Sequence, residues 1–203
     1  MTDRLKLVIA STNMHKIREF RAMLKCLSQK IDLLSLCDFP NYIPPEETGK
    51  TFEENAILKA MHASKTLGQW VLADDSGLTV PILNGAPGVY SARYAGNEAT
   101  DLDNRKKLLS AMTYFVDDDR FAFYECCLVL ASPEGIKKIA KGTCEGSLSS
   151  QDKGGSGFGY DSIFIKHGYQ KSFAELDESV KNRVSHRRKA LDKIMNIIEL
   201  LVP

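Results

Sequence analysis

Apolar segments of two kinds alternate along the first half of the chain. The runs Leu5 to Ala10, Ile31 to Leu36 and Trp70 to Ala73 have the length and composition of strands. Between them, apolar residues recur at helical spacing, first from Ile17 to Leu27 and again from Ala56 to Leu67. Strands that alternate with helices in this way indicate an α/β fold built around a sheet.

Turn and capping residues define the remaining elements. Thr51 followed three residues later by Glu54 forms a capping-box pattern, which predicts that the second helix starts here. The pattern further predicts a helix over 100–112, a β-hairpin over 121–144 around Ser132-Pro133-Glu134-Gly135, a short strand over 162–165 and a closing helix to about residue 201. Because no repeat or linker interrupts the chain, we expect a single domain over residues 1–203.

Composition excludes several classes of protein. The 203 residues carry 27 Lys and Arg against 26 Asp and Glu, so a net charge of +1 provides no strong global field for nucleic acid. No apolar run reaches the roughly 18 residues of a membrane helix, and the N-terminus lacks a signal-peptide pattern, so we expect a cytoplasmic protein. Five cysteines without C-x-x-C spacing argue against a disulfide framework and a zinc site.

Two adjacent carboxylates, Asp74 and Asp75, directly follow the predicted strand Trp70 to Ala73. Crowding two negative charges at the end of an apolar segment is costly unless a cation neutralises them. Mg²⁺ is typically bound by a few carboxylates together with phosphate oxygens of a substrate. The pair therefore predicts a metal site, with an exposed turn as the alternative.

Polar residues at two predicted helix starts are candidate functional clusters. Ser11-Thr12-Asn13 precedes the first helix, which also carries Lys16, and a helix N-terminus with a nearby lysine favours anions. Glu46-Glu47 precedes the second helix, which carries Lys59. The alternatives are an ordinary capped helix and acidic partners of the helix dipole. The segment Thr48-Gly49-Lys50-Thr51 is not a P-loop, because Pro44 occupies the position of the required first glycine.

Two later segments are also candidates for ligand binding. The glycine-rich loop 154–161 contains Phe158 and Tyr160, whose rings could stack on a planar base or could instead complete the core. The stretch from Lys181 to Lys193 holds six Lys and Arg residues, which fit either a solvated face or a polyanion site. Ser185 is a candidate N-cap that would place His186 and Arg187 in a first helical turn.

Six segments taken together resemble the inosine triphosphatase family, whose members are pyrophosphatases of nonstandard purine nucleoside triphosphates. They match the family in its order and extend from the first strand almost to the C-terminus. The segments are Ser11 to Lys16, Glu47 to Ala56, Leu72 to Leu78, Gly85 to Tyr94, Phe158 to Asp161 and Ser185 to Arg187.

The resemblance implies a fold, a reaction and a set of site residues. It implies an elongated α/β mixed-sheet fold with two lobes flanking a central nucleotide-binding cleft, a homodimer, and Mg²⁺-dependent hydrolysis of ITP, dITP or XTP to the monophosphate and pyrophosphate. Asp75 matches the catalytic, metal-binding acid and Glu47 the other metal ligand, although Asp74 stays open as the base. The implied substrate contacts are Ser11, Thr12, Asn13, Met14, His15, Lys16, Lys59, Ser76, Phe158, Gly159, Tyr160, Asp161, Lys181, His186 and Arg187.

The hydrogen-bonding groups of the purine bases differ enough for a pocket to distinguish them. Hypoxanthine and xanthine present a carbonyl acceptor at C6 and a donor at N1, whereas adenine presents an amino donor and a bare N1. Donors from His186 or Arg187 with an acceptor at Asp161 would therefore leave buried polar groups unpaired with adenine. Two rival functions stay open: a related pyrophosphatase for a pyrimidine or modified nucleotide, and a non-catalytic nucleic-acid-binding protein that uses the basic stretch.

Overall fold

One mixed sheet forms the centre of the fold. The computed structural model describes residues 4–202, and within this range six strands lie in the order β2-β1-β3-β4-β5-β6. β1 pairs in parallel with both β2 and β3, whereas β5 pairs antiparallel with β6. The predicted α/β class is confirmed. The strands are β1 (Leu5–Ile9), β2 (Ile31–Ser35), β3 (Trp70–Thr79), β4 (Phe121–Ser132), β5 (Gly135–Leu148) and β6 (Phe164–Lys166).

Five α-helices accompany the sheet within the described residues. They are α1 (Met14–Met23), α2 (Phe52–Leu67), α3 (Asp101–Ala111), α4 (Glu178–Val184) and α5 (His186–Leu201). Four of them were expected from the sequence pattern. The seven-residue α4 was missed because two turns are too short to show a periodic apolar face. No helix among these is both long and apolar enough to cross a membrane.

The chain divides into two compact units. The described part of the first unit comprises residues 4–75, 126–142 and 187–202, and the second unit comprises 76–125 and 143–186. The single domain over 1–203 and the cleft between two lobes stay predictions, and residues 1–3 and 203 lie outside the described residues.

Each unit has its own apolar core. In the first unit, Phe20 of α1 and Ile194 of α5 pack with Leu7 and Leu128 of the sheet, and none of these four is exposed to solvent. In the second unit, residues of β3, α3 and β4 pack against an aromatic group formed by Tyr124, Phe164 and Phe173.

β3 continues beyond the residue at which the sequence pattern predicted its end. Asp74 and Asp75 therefore lie inside the strand, and the predicted position directly after a short strand is wrong. The strand extends to Thr79 because Leu78 re-enters an apolar core and because both carboxylates have buried partners, described below.

The predicted capping box of α2 is only half formed. The Thr51 hydroxyl accepts a hydrogen bond from the Glu54 amide, as expected for an N-cap. The Glu54 carboxylate, however, accepts from the amide of Lys50 at 2.6 Å rather than from that of Thr51. The loop before α2 is thus bound to the first turn of the helix one residue earlier than predicted.

Replacing Thr51 by alanine should lower the free energy of unfolding by about 1 kcal/mol, because one amide at the start of α2 loses its acceptor. Thr51→Ser, which keeps the hydroxyl, should stay close to the wild type in the same urea titration. Equal stability of the two variants would show that the side-chain cap does not stabilise α2.

Candidate active site

Asp74 and Asp75 are neighbours in β3, and both are buried. Successive side chains of a strand project from opposite faces of the sheet. The two carboxylates accordingly have different partners, although only 2% of Asp74 and 7% of Asp75 is exposed. Two negative charges can therefore follow one another in a buried strand, since each is compensated separately.

Basic and thiol groups of the first unit surround Asp74. Its Oδ2 accepts from the Arg187 guanidinium at 3.1 Å and lies 2.8 Å from Nζ of Lys16, while Cys126 Sγ donates to Oδ1 at 3.0 Å. Burial alone would raise the pKa of Asp74, but the charges of Arg187 and Lys16 outweigh it and hold the pKa well below its usual range. Asp74 is therefore ionised near neutral pH and anchors this cluster.

Arg187 extends this network to α1. Its Nη1 donates to Glu19, and only 1% of the Arg187 side chain and 6% of the Glu19 side chain is exposed. Burial favours loss of the proton, yet Asp74 and Glu19 outweigh it and raise the pKa of Arg187. With Lys16, the cluster contains two carboxylates and two cations, so its charges compensate one another within the first unit.

Asp75 and Glu47 converge on one ammonium group. Nζ of Lys59 lies 2.8 Å from Oδ1 of Asp75 and 3.2 Å from Oε1 of Glu47. Nδ2 of Asn55 donates to the other oxygen of Asp75 at 3.2 Å. A loop residue, a helix residue and a strand residue, distant in sequence, thereby meet at a single cation.

Burial and charge move the two pKa values in this cluster. Burial raises the pKa of Asp75, the Glu47 carboxylate adds to the effect, and the lysines only partly oppose it. Burial would lower the pKa of Lys59, but Asp75 and Glu47 outweigh it and the pKa is raised. Both pKa values are therefore raised. One ammonium between two carboxylates keeps its proton, while the two carboxylates, which repel each other, are harder to ionise.

The donor set around Asp75 suits a divalent cation that is also bound by substrate. Within residues 4–202, no group of three or more His, Cys, Asp and Glu side chains is arranged to hold a metal ion by itself. Glu47 and Asp75 nevertheless bind the same cationic group, and Mg²⁺ is commonly held by one or two carboxylates with phosphate oxygens. The residues present therefore fit a Mg²⁺ ion whose coordination is completed by the substrate. They do not fit a metal that is coordinated by protein side chains alone.

The turn before α1 shows how its polar residues are used. Asn13 is the N-cap, and its side chain accepts from the amides of His15 and Lys16 at 2.9 and 3.2 Å. The Asn13 amide donates to Ser11 Oγ at 3.0 Å. Thr12 and Met14 are exposed, so this segment presents a surface turn next to the ammonium of Lys16.

In the second unit, the predicted base-pocket residues form a separate cluster around Asp161. Its Oδ2 accepts from Lys181 and from the Phe158 amide at 3.0 Å, and Tyr124 donates to Oδ1 at 3.3 Å. The Lys181 ammonium lies 4.7 Å from the centre of the Phe158 ring. Gly157 has φ +76°, and a Cβ there would lie 2.3 Å from Asp161, so the loop requires glycine at this position.

Other predicted residues of the second unit have structural contacts. Tyr160 is buried and its hydroxyl donates to the carbonyl of Ser91 at 2.9 Å, so this ring completes the core. The His186 ring stacks on Tyr124 at 4.7 Å between centroids. The Gly159 amide donates to Asp101 at 2.7 Å, and Ser76 is half-buried.

The structure thus divides the predicted site residues between the units. The first unit brings together Glu47, Lys59 and Asp75, and separately Lys16 and Arg187 on Asp74. Arg187, predicted to contact the base with His186, belongs to the first unit, whereas Phe158 to Asp161, Lys181 and His186 belong to the second. The stretch from Lys181 to Lys193 is not a uniform solvated face, because Lys181 and Arg187 are buried in ion pairs.

Three residues of the first-unit clusters were not assigned by the sequence reasoning. Glu19 resembles an ordinary solvated charge of α1 in the sequence, although it is buried in the structure. Asn55 lies within a matched segment but received no role. Cys126 lies in an apolar run, where cysteine usually acts as a small apolar residue, although its thiol donates to Asp74. Their partners lie far away in the sequence, so no local signal reveals them.

The fold and the two first-unit clusters define an α/β protein with buried networks of acidic and basic side chains. Comparison with known proteins shows its family. The family model described as the Ham1 family matches residues 7–197. A protein of Protochlamydia amoebophila named dITP/XTP pyrophosphatase is 55% identical over 97% of this chain and 99% of its own. A Chlamydia caviae protein of the same name is 54% identical over 98% of this chain and 96% of its own.

Solved structures agree with the sequence comparison. A HAM1 protein from Coxiella burnetii superposes with a TM-score of 0.86 at 42% identity, over 96% of this chain and 98% of that one. The Staphylococcus aureus Ham1 protein gives a TM-score of 0.83 at 40% identity, with the same coverage of both chains. This chain belongs to the Ham1 family.

Replacing Arg187 by methionine should lower the free energy of unfolding by about 3–5 kcal/mol, because Asp74 and Glu19 lose their shared buried partner. The matched control is Arg188→Met, which removes a surface pair with Asp192 at i,i+4 and should cost about 0.3–0.5 kcal/mol. Similar stabilities of the two variants in urea titrations would contradict the structural importance of the Arg187 network.

Acid should weaken the first unit through Asp74. Its pKa in the folded protein is depressed, so its stabilising contribution is complete above the unfolded pKa of about 3.9 and is lost as the pH falls towards the folded value. In urea titrations between about pH 5 and pH 2, Asp74→Asn should show a shallower loss of stability than the wild type. An unchanged slope would mean that folding does not lower the pKa of Asp74.

Proposed function

We propose that this protein hydrolyses nonstandard purine nucleoside triphosphates, ITP, dITP and XTP, to the monophosphate and pyrophosphate. Its relatives from Protochlamydia and Chlamydia, which match nearly the full chain, are named dITP/XTP pyrophosphatases. The structural observation that supports the proposal is the convergence of Glu47 and Asp75 on the ammonium of Lys59. Two carboxylates that converge in this way suit a divalent cation that is also bound by phosphate oxygens.

Glu47 and Asp75 are proposed to hold Mg²⁺ together with oxygens of the substrate. When bound there, Mg²⁺ would neutralise phosphate charge and lower the pKa of a bound water. The Glu47 side chain is 35% exposed, so it can adjust its position to a ligand. The buried Asp75 is held in place by Asn55 and Lys59. The proposal therefore combines one adaptable and one fixed carboxylate.

Asp75 rather than Asp74 is the proposed base that orients and deprotonates the attacking water. The side chain of Asp74 is 0% exposed, and Arg187 and Lys16 hold its pKa far too low for it to accept a proton near neutral pH. Burial raises the pKa of Asp75 instead, which makes it the better proton acceptor. Attack at the α-phosphorus then releases pyrophosphate.

Cationic and polar groups of the first unit are proposed to bind the triphosphate. Lys59 keeps its charge because its pKa is raised, and it lies at the acidic pair. The turn from Ser11 to Lys16 precedes α1, whose N-terminus favours anions. Ser76, which follows Asp75 directly, and Lys181 belong to the second unit and are proposed as further substrate contacts.

The proposed base contacts are Phe158 to Asp161, His186 and Arg187. Phe158 is half-buried, with the Lys181 ammonium 4.7 Å from its ring centre, whereas the Tyr160 ring is committed to the core. Hydrogen-bond donors directed at the C6 carbonyl would distinguish inosine from adenosine. Arg187 has the weakest support of these residues, because its guanidinium is paired with Asp74 and Glu19.

We further propose a single-domain enzyme that works in the cytoplasm as a homodimer, without a nucleic-acid partner or a membrane. Molar mass from light scattering should correspond to two chains of 22.6 kDa. A mass of one chain would contradict the dimer without affecting the proposed reaction.

The substrate class is tested by measuring pyrophosphate release from ITP, dITP, XTP, GTP, ATP and dTTP, each with and without Mg²⁺. We expect Mg²⁺-dependent turnover of ITP, dITP and XTP and little turnover of ATP. If dTTP were the best substrate, the rival pyrimidine-nucleotide function would replace the proposal. Absence of turnover with every nucleotide, together with a salt-sensitive gel shift of DNA or RNA, would favour the nucleic-acid-binding alternative.

Asp75→Asn should reduce kcat for ITP by about 10²–10⁴-fold, since the amide cannot accept the proton of the attacking water. Circular dichroism should show an unchanged fold. Asp192→Asn is the matched control, because it neutralises a half-exposed surface carboxylate and should retain wild-type kcat. Near-normal turnover by Asp75→Asn would refute the role assigned to Asp75.

A further inference from the structure

Asn55 is a fully buried amide in the first turn of α2. It is the fourth residue of the helix, and its exposed fraction is 0%. Asparagine is a poor helix former, and burying an amide is unfavourable unless its groups form hydrogen bonds. A side chain of this kind at this position needs partners that compensate for both costs.

Both ends of the Asn55 amide have partners outside the helix. Oδ1 accepts from the Gly49 amide at 2.8 Å, and Nδ2 donates to Oδ2 of Asp75 at 3.2 Å. A Cβ on residue 49 would lie 2.5 Å from Asn55 Oδ1, so only glycine lets the loop come this close. Asn55 thereby links β3 to the loop that carries Glu47.

The second hydrogen bond matters because a carboxylate rotates easily. The terminal torsion of aspartate is broad, and the flexible Lys59 side chain, bound to Oδ1, can follow such a rotation. A donor on the other oxygen, held by a helix, fixes the plane of the carboxylate. Only an amide of this length offers the donor to Asp75 and the acceptor to Gly49 at once.

We propose that Asn55 is a positioning residue that fixes the orientation of the Asp75 carboxylate relative to the loop of Glu47. The inference rests on the proposed function, since it assigns Asn55 a role through Asp75. Both hydrogen bonds of the Asn55 side chain are made with protein groups, so the proposed role is exerted through Asp75. Removal of the Asn55 side chain should therefore affect the chemical step more than substrate binding.

The protein contains a matched control for this contact. Asn104 is also the fourth residue of its helix, α3, and is also buried. Its Oδ1 accepts from the Ala95 amide at 2.7 Å and its Nδ2 donates to the Ala92 carbonyl at 3.1 Å. Asn104 thus resembles Asn55 in helix position and in its two hydrogen bonds, but its donor meets a main-chain carbonyl instead of a carboxylate.

The experiment compares Asn55→Asp, Asn55→Ala and Asn104→Asp for unfolding in urea and for kcat and KM with ITP at saturating Mg²⁺. Each variant loses the same kind of donor, so all should be less stable than the wild type. We expect kcat to fall about 10–100-fold in both Asn55 variants with KM within about threefold of wild type, the size of effect seen for groups that orient ligand residues. Asn104→Asp should keep the wild-type kcat.

A readout independent of turnover is the affinity for Mn²⁺, measured by electron paramagnetic resonance, which should weaken about 10–100-fold in the Asn55 variants and remain unchanged in Asn104→Asp. Wild-type kcat and Mn²⁺ affinity in Asn55→Ala would overturn the inference while leaving the proposed function intact. An inactive wild-type protein would instead overturn the proposed function.

The double variant Asn55→Asp with Asp75→Asn exchanges donor and acceptor and should recover stability lost in Asn55→Asp, because an amide again faces a carboxylate. If the double variant recovered no stability, the hydrogen bond between residues 55 and 75 would not be the cause of the stability lost in Asn55→Asp.

Discussion

Asp74, Arg187 and Glu19 form a buried chain of opposite charges that joins β3, α5 and α1. These side chains are almost inaccessible to water, so the loss of one member leaves an uncompensated buried charge, which is costly. The three residues come from distant parts of the sequence and meet only when the first unit is folded. Because Asp74 is immobilised in this way, the next residue of the strand, Asp75, projects from the opposite face at a defined position.

The two aspartates therefore have different physical roles. Asp74 has its charge neutralised by Arg187 and Lys16, and its low pKa suits an anchor. Burial raises the pKa of Asp75, and this residue shares the Lys59 ammonium with Glu47. The environments of the two adjacent aspartates thus push their pKa values in opposite directions, and perturbed pKa values of this kind are typical of functional sites.

Local sequence patterns predicted most elements of the fold, since apolar periodicity and capping residues are short-range signals. They failed at β3, where burial of Asp74 and Asp75 depends on partners such as Arg187 that local pattern does not reveal. The resemblance of six segments supplied Glu47, Lys59 and Asp75, and the structure brings these three together. It could not supply Glu19, Asn55 or Cys126, because a buried hydrogen-bond partner is defined by long-range packing and not by residue type or spacing.

The central claim, that Glu47 and Asp75 jointly hold a divalent cation against a nucleotide, is tested most directly by anomalous scattering from a crystal grown with Mn²⁺ and a non-hydrolysable inosine triphosphate analogue. The account predicts an anomalous peak coordinated by carboxylate oxygens of both Glu47 and Asp75 and by a phosphate oxygen. A peak that neither carboxylate coordinates, with the nucleotide bound elsewhere, would contradict it.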